Sequence, residues 1–276
     1  MLKLSKKLIF YFNDLKNYLF QKIKYNKKYL YIANLDDIKK HEKNFYENKI
    51  KLRNTSLIRN TEKIDLNKIT FDNSISLKDP KNPLVLTVQE VLRDYSIKLE
   101  ETSIYKFFQT FRPNNLAELY QLDFKNFEKK SILKKLNQYT SFTPWFHECP
   151  QRFIIPGMFG PKDDSFPKSR FIRIKNLINL FKTYGYKPSD EDHISGYKMI
   201  YKEDYRFVIT AGTHRVSVFD CLYGDNQNSI QLKFDDYRVK KKFQIINLED
   251  KNNWPAVKNG FISAEEAEIF FLGFFK

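Results

Sequence analysis

Apolar positions along the second half of this chain change spacing several times, and each change marks an element. Ile172, Ile174, Leu177, Ile178 and Phe181 fall on one face at three- and four-residue spacing. They predict a helix over Phe171–Tyr186 that Gly185 brings to an end. Lys198–Tyr201 reads as a strand, Lys202-Glu203-Asp204 as a charged turn, and the apolar run Tyr205–Thr210 as a buried strand. Helical spacing resumes at once in Val216, Phe219 and Leu222, which predicts a helix over Thr213–Tyr223. Gly224–Asn228 is a loop, and Ser229–Phe234 alternates as a further strand.

Upstream the pattern is less regular. Residues 1–26 place Leu4, Leu8, Phe12, Leu15, Leu19 and Ile23 on one helical stripe flanked by lysines. Residues 29–34 read as a strand. Residues 36–82 are polar and rich in Lys and Asn, and predict an extended arm with short strands near Ile64–Phe71. Helices are expected at Val85–Tyr95, from a Thr102/Ser103 cap to Phe111, and at Phe127–Leu136. Residues 140–168 are rich in Pro and Gly and read as loop. Ser263 and Glu266 form a capping box that opens a last helix reaching Phe274. The organisation expected is a basic amphipathic helix at 1–28, an extended arm and helical region at 29–140, and an α/β domain with a mixed sheet at 141–276.

Charge adds less than its size suggests. The net charge is +15 over 276 residues, which invites a nucleic-acid reading. Lysine far outnumbers arginine, and Asn, Ile, Phe and Tyr are all frequent. That composition is the mark of an AT-rich genome, so a solvated lysine surface is the simpler reading. Cys149 and Cys221 are distant and unpatterned, and the four histidines show no ligand spacing, so no disulfide framework or metal site is expected. No run is long enough to cross a bilayer. Residues 1–26 could still lie on an anionic membrane surface, or pack on the protein or a partner. A reducing, cytoplasmic setting follows, with peripheral contact to the inner membrane left open.

The chemistry concentrates at Gly212-Thr213-His214-Arg215, where the strand meets the helix. Glycine allows a tight bend and close approach of a ligand. The first helical turn offers amides without intrahelical partners and the positive end of the helix dipole. Arginine adds a forked cation and histidine a second donor. Together these are the parts of a phosphate site. Arg170, Arg173, Asp192 and His193 are further candidates around it.

The order helix, strand, strand, G-x-H-R turn, helix, strand over residues 166–236 resembles the ParB/sulfiredoxin-like superfamily. Members bind a nucleotide's phosphates at that turn, which the resemblance assigns here to Gly212, His214 and Arg215. Sulfiredoxins carry a catalytic cysteine in the turn, where this chain has Thr213, so that chemistry is excluded. No helix-turn-helix follows, unlike the partition proteins. Phe159-Gly160-Pro161 and the Trp254–Gly260 segment with its acidic helix are similar to uncharacterised ParB-like proteins associated with bacterial surface-polysaccharide gene clusters. ParB-like kinases hold a glutamate base near the start of the first helix, where this chain reads Lys168-Ser169-Arg170.

Three function classes fit. The first binds a nucleotide or phosphorylated ligand, with a nucleoside di- or triphosphate and Mg2+ as the expected cofactor. If catalytic, it is a phosphotransferase in surface-polysaccharide biosynthesis. The second is a non-catalytic ligand-binding or scaffold protein at the inner membrane face. The third, less favoured, is a nucleic-acid-binding or nuclease-like ParB-family protein.

Overall fold

A strand that ends in glycine and turns directly into a buried helix is the centre of the molecule. The structure is a computed structural model that describes residues 60–113, 118, 120, 142–148, 162–188, 193–235 and 244–275. All of these belong to the unit spanning residues 57–276. The expected helix at 1–28, the strand at 29–34, the helix at 127–136 and the Phe159–Pro161 loop lie outside the described residues.

In chain order, the main elements are β1 (Thr61–Asp65), β2 (Ile69–Phe71), α1 (Pro83–Arg93), α2 (Ser103–Thr110), α3 (Ser165–Tyr184), β3 (Ser195–Tyr201), β4 (Asp204–Ala211), α4 (Thr213–Tyr223), β5 (Ser229–Phe234), β6 (Ile245–Asn247), α5 (Pro255–Lys258) and α6 (Ala264–Leu272). Local chemistry explains their ends. Asn82 caps α1 by accepting from the Leu84 and Val85 amides, with Pro83 at the first helical position. Thr102 caps α2 through the Tyr105 amide. Gly185, at φ 70, closes α3. The capping box of Ser263 and Glu266 opens α6.

The described strands form one mixed sheet in the order β1-β5-β3-β4-β2, with β6 beside β3. β3 and β4 are an antiparallel hairpin through Lys202, which takes φ 54 in the turn. β2 runs parallel to β4, and β1 runs antiparallel to β5. The short strands expected near Ile64–Phe71 are β1 and β2. They sit in the same sheet as β3, β4 and β5, so residues on both sides of position 140 build one core. One edge of β3 is shared: its start pairs with Lys233 and Phe234 of β5, and Lys198–Ile200 pair with β6.

Side chains alternate across the sheet. Phe207 and Ile209 of β4 point into a core closed by α1, α2, α3 and α4. Val208, Tyr197 and Met199 point to the other face, covered by α5, α6 and the 142–148 segment. There Trp145 and Trp254 sit among Phe270, Phe271 and Phe274, and Trp254 stacks on Phe271 with ring centroids 5.5 Å apart. Trp254 is thus a core anchor.

Gly196 lies where the β3–β4 register shifts, and a Cβ there would stand 2.0 Å from the Val208 carbonyl oxygen. The backbone must move to admit any side chain. Gly196→Ala is therefore predicted to lower stability by about 1–3 kcal/mol. An unchanged urea midpoint would show that the hairpin pairs differently.

Candidate anion-binding turn

Four of the predicted residues form the turn between β4 and α4. Gly212 is the N-cap of α4 in the left-handed conformation, with φ 97 and ψ 22. A Cβ there would meet Ile194 at 3.1 and 3.2 Å and the Arg215 Nη2 at 3.3 Å. Glycine is therefore required for its backbone and for its lack of bulk. Its carbonyl accepts from the Val216 amide at 3.0 Å, the first closed turn of the helix. Glycine has no side chain to cap the amides of Thr213, His214 and Arg215. These lie ahead of the first intrahelical bond at the positive end of an eleven-residue helix.

Arg215 is in the first turn, as the sequence predicts, but it is not an exposed finger. It is 7% exposed and folds back so that its Nη2 approaches Gly212. Burial of the guanidinium beside its own turn makes it part of the fold as well as of the site. The physical reason is the packing of α4, which is covered by α1 and α3 as well as by the sheet. Residues from Arg215 to Asp220 are buried without a break.

α3 brings the other cations. Arg170 and Arg173 are one turn apart on it, and both act electrostatically on His214, together with Arg215. Arg170 is half-buried and lies over the Phe166 ring at 3.5 Å, an arrangement that fixes its plane. Arg173 is exposed. His214 is the point on which these charges converge. Its Nε2 is sealed from solvent and has no hydrogen-bond partner among the described residues. Burial first, and then the charges of Arg173, Arg170 and Arg215, push the His214 imidazole down to about 3. It is neutral at ordinary pH.

The remaining candidates divide. His193 is buried just before β3, and its Nδ1 lies 3.0 Å from the Ile194 carbonyl oxygen, so that nitrogen carries the proton. Ile194 in turn presses on Gly212, which places His193 behind the turn. Asp192 lies outside the described residues. Sequence reasoning missed Lys162, which sits over the Phe166 ring at 5.2 Å. Burial and the Arg170 charge hold its ammonium below the usual range, with Asp163 opposing. It missed also the clasp of Thr210 on the buried Asp235 carboxylate, two residues before Gly212, which ties the end of β4 to the end of β5. Only the proximity of Lys162 to a predicted helix start could have signalled the first. The second joins residues that strand pairing alone brings together.

Other chemistry is absent among the described residues. No group of three or more His, Cys, Asp and Glu side chains gathers to hold a metal, and no helix is long and apolar enough to span a membrane. Burial pushes the Cys221 thiol up to about 12, which rules it out as a nucleophile at neutral pH. Asp220, five residues beyond Arg215, pairs with Lys78 at 2.6 Å. No family model, curated protein or solved structure matches this chain.

A neutral imidazole among guanidiniums has a signature in stability. The unfolded chain binds a proton on His214 near the ordinary histidine value of 6.5, while the folded protein refuses it until about 3. Between those limits the unfolded state holds more protons, so stability falls as pH falls. Wild type is predicted to lose up to about 1.4 kcal/mol per pH unit more than His214→Gln across this window. Thermal midpoints of both proteins from about pH 7 to pH 4 measure it. Parallel curves would place His214 outside the field of the arginines.

Proposed function

We propose that the Gly212–Arg215 turn binds the phosphate group of a small phosphorylated ligand, a nucleotide being the class that suits it best. The observation that carries this reading is the convergence of Arg170, Arg173 and Arg215 on a sealed imidazole at an uncapped helix start. Gathering three like charges in one place is unfavourable by itself, and each loses hydration where it is buried. An anion between them reverses the sign of that energy. Guanidinium groups suit phosphate because they present paired N–H donors, and the turn amides add dipoles that need no rearrangement.

Two further considerations support the reading. The order α3, β3, β4, turn, α4, β5 is the one that resembles ParB/sulfiredoxin-like proteins, in which this turn meets a nucleotide's phosphates. The carboxylates at the head of α3 are engaged in local structure. Asp163 accepts from the Ser165 amide at 3.0 Å, and Asp164 accepts from the Tyr105 hydroxyl at 3.1 Å. That arrangement favours binding over phosphoryl transfer, in which a carboxylate would have to take a hydroxyl proton or hold magnesium.

Arg173 is the cleanest probe, because it is exposed while Arg215 is buried. Arg173→Ala should weaken the best ligand from a panel of nucleoside di- and triphosphates by about threefold to tenfold, a change of roughly 0.7–1.4 kcal/mol. Its thermal midpoint should match wild type. Arg215→Ala should lower both affinity and midpoint. Calorimetry and thermal shift, with and without magnesium, read the two effects apart. Unchanged affinity in both variants would end the phosphate reading.

A further inference from the structure

We infer that this site is built for a doubly charged anion, the terminal phosphate monoester of a ligand rather than a phosphodiester, and that His214 takes up a proton when that anion binds. The inference rests on the phosphate reading above and extends it to the kind of phosphate and to the ionic state of the bound complex.

The charges around His214 come from two helices. α3 supplies Arg170 and Arg173, α4 supplies Arg215, and Lys162 adjoins Arg170 just before α3. All three charges acting most strongly on the imidazole are guanidiniums. A phosphodiester brings one negative charge to this cluster and leaves most of the repulsion in place. A terminal monoester brings close to two and three unesterified oxygens. Three oxygens are enough to meet the amides at the start of α4, a guanidinium fork and the imidazole at once. A diester, with two, leaves one of these donors facing carbon.

His214 is the group that can report the difference. Its Nε2 is shut off from water and lacks a protein partner, so a ligand oxygen is the acceptor it needs. The imidazole is kept neutral by burial and by its cationic neighbours. A dianion seated among those neighbours cancels their effect and adds an attraction of its own. The proton that His214 then accepts comes from the solvent, and the imidazolium it forms makes a charge-assisted bond to the anion. Binding and proton uptake are thereby linked, and affinity for a fixed dianion falls as pH rises. An interior nucleic-acid phosphate, being a diester, would not engage this coupling.

Sulfate is the decisive probe, since it is a dianion throughout the working range and contributes no proton change itself. Full-length protein is titrated with sodium sulfate by calorimetry near pH 7 in two buffers of different ionisation enthalpy. The expected result is uptake of about one proton per sulfate, with affinity falling by up to about tenfold per pH unit at higher pH. His214→Gln should abolish the uptake, and His214→Asn should do the same if one variant fails to fold. Methyl phosphate should bind at least about tenfold more tightly than dimethyl phosphate. Sulfate binding without proton uptake would overturn the proposal while leaving the phosphate reading intact. Equal binding of the monoester and the diester would also overturn it. Failure of sulfate, methyl phosphate and the nucleotide panel alike would overturn both.

Discussion

The turn at Gly212 is the constraint on which the candidate site depends. A backbone at φ 97 with Ile194 pressed against it can be occupied only by glycine. That conformation lets β4 pass directly into α4 with no intervening loop. It points the first amides of α4 outward and brings Arg215 back toward the turn. A side chain at this position would strain the backbone and crowd the guanidinium together.

The electrostatics follow from this geometry. α4 is buried among α1, α3 and the sheet, so its start lies in a region of reduced solvent screening. α3 is aligned so that two arginines one turn apart act on the same imidazole. The Arg170 plane is steadied by Phe166 beneath it. Thr210 and Asp235 hold the end of β4 from the other side of the sheet. A rigid frame thus concentrates positive charge, and preorganised charge binds an anion without the penalty of assembling it afterwards.

Much of this was legible in the sequence, and for identifiable reasons. β4, Gly212 and α4 are contiguous, so local spacing was enough to place them. The Ser263–Glu266 capping box is likewise a local signal. The burial of Arg215 was not legible, because it depends on how α3 crosses α4. Nor was the membership of β1 and β2 in the sheet. β1 pairs with β5, where Gln231 bonds Thr61 across a separation of 170 residues, and no local pattern records such a partner. Polar composition around these strands made them resemble an arm. The sharing of one β3 edge between β5 and β6 has the same origin. His214 could be named from the motif, but its neutrality required knowing which charges surround it.

The most direct test of the account is to watch the turn itself. Backbone amide resonances of Thr213, His214 and Arg215 can be followed by NMR as inorganic phosphate is added to the full chain. The account predicts saturable shifts centred on these three amides, with the Arg170 and Arg173 guanidinium signals moving at the same midpoint. Saturable shifts confined to other parts of the protein, or none at the turn, would contradict it.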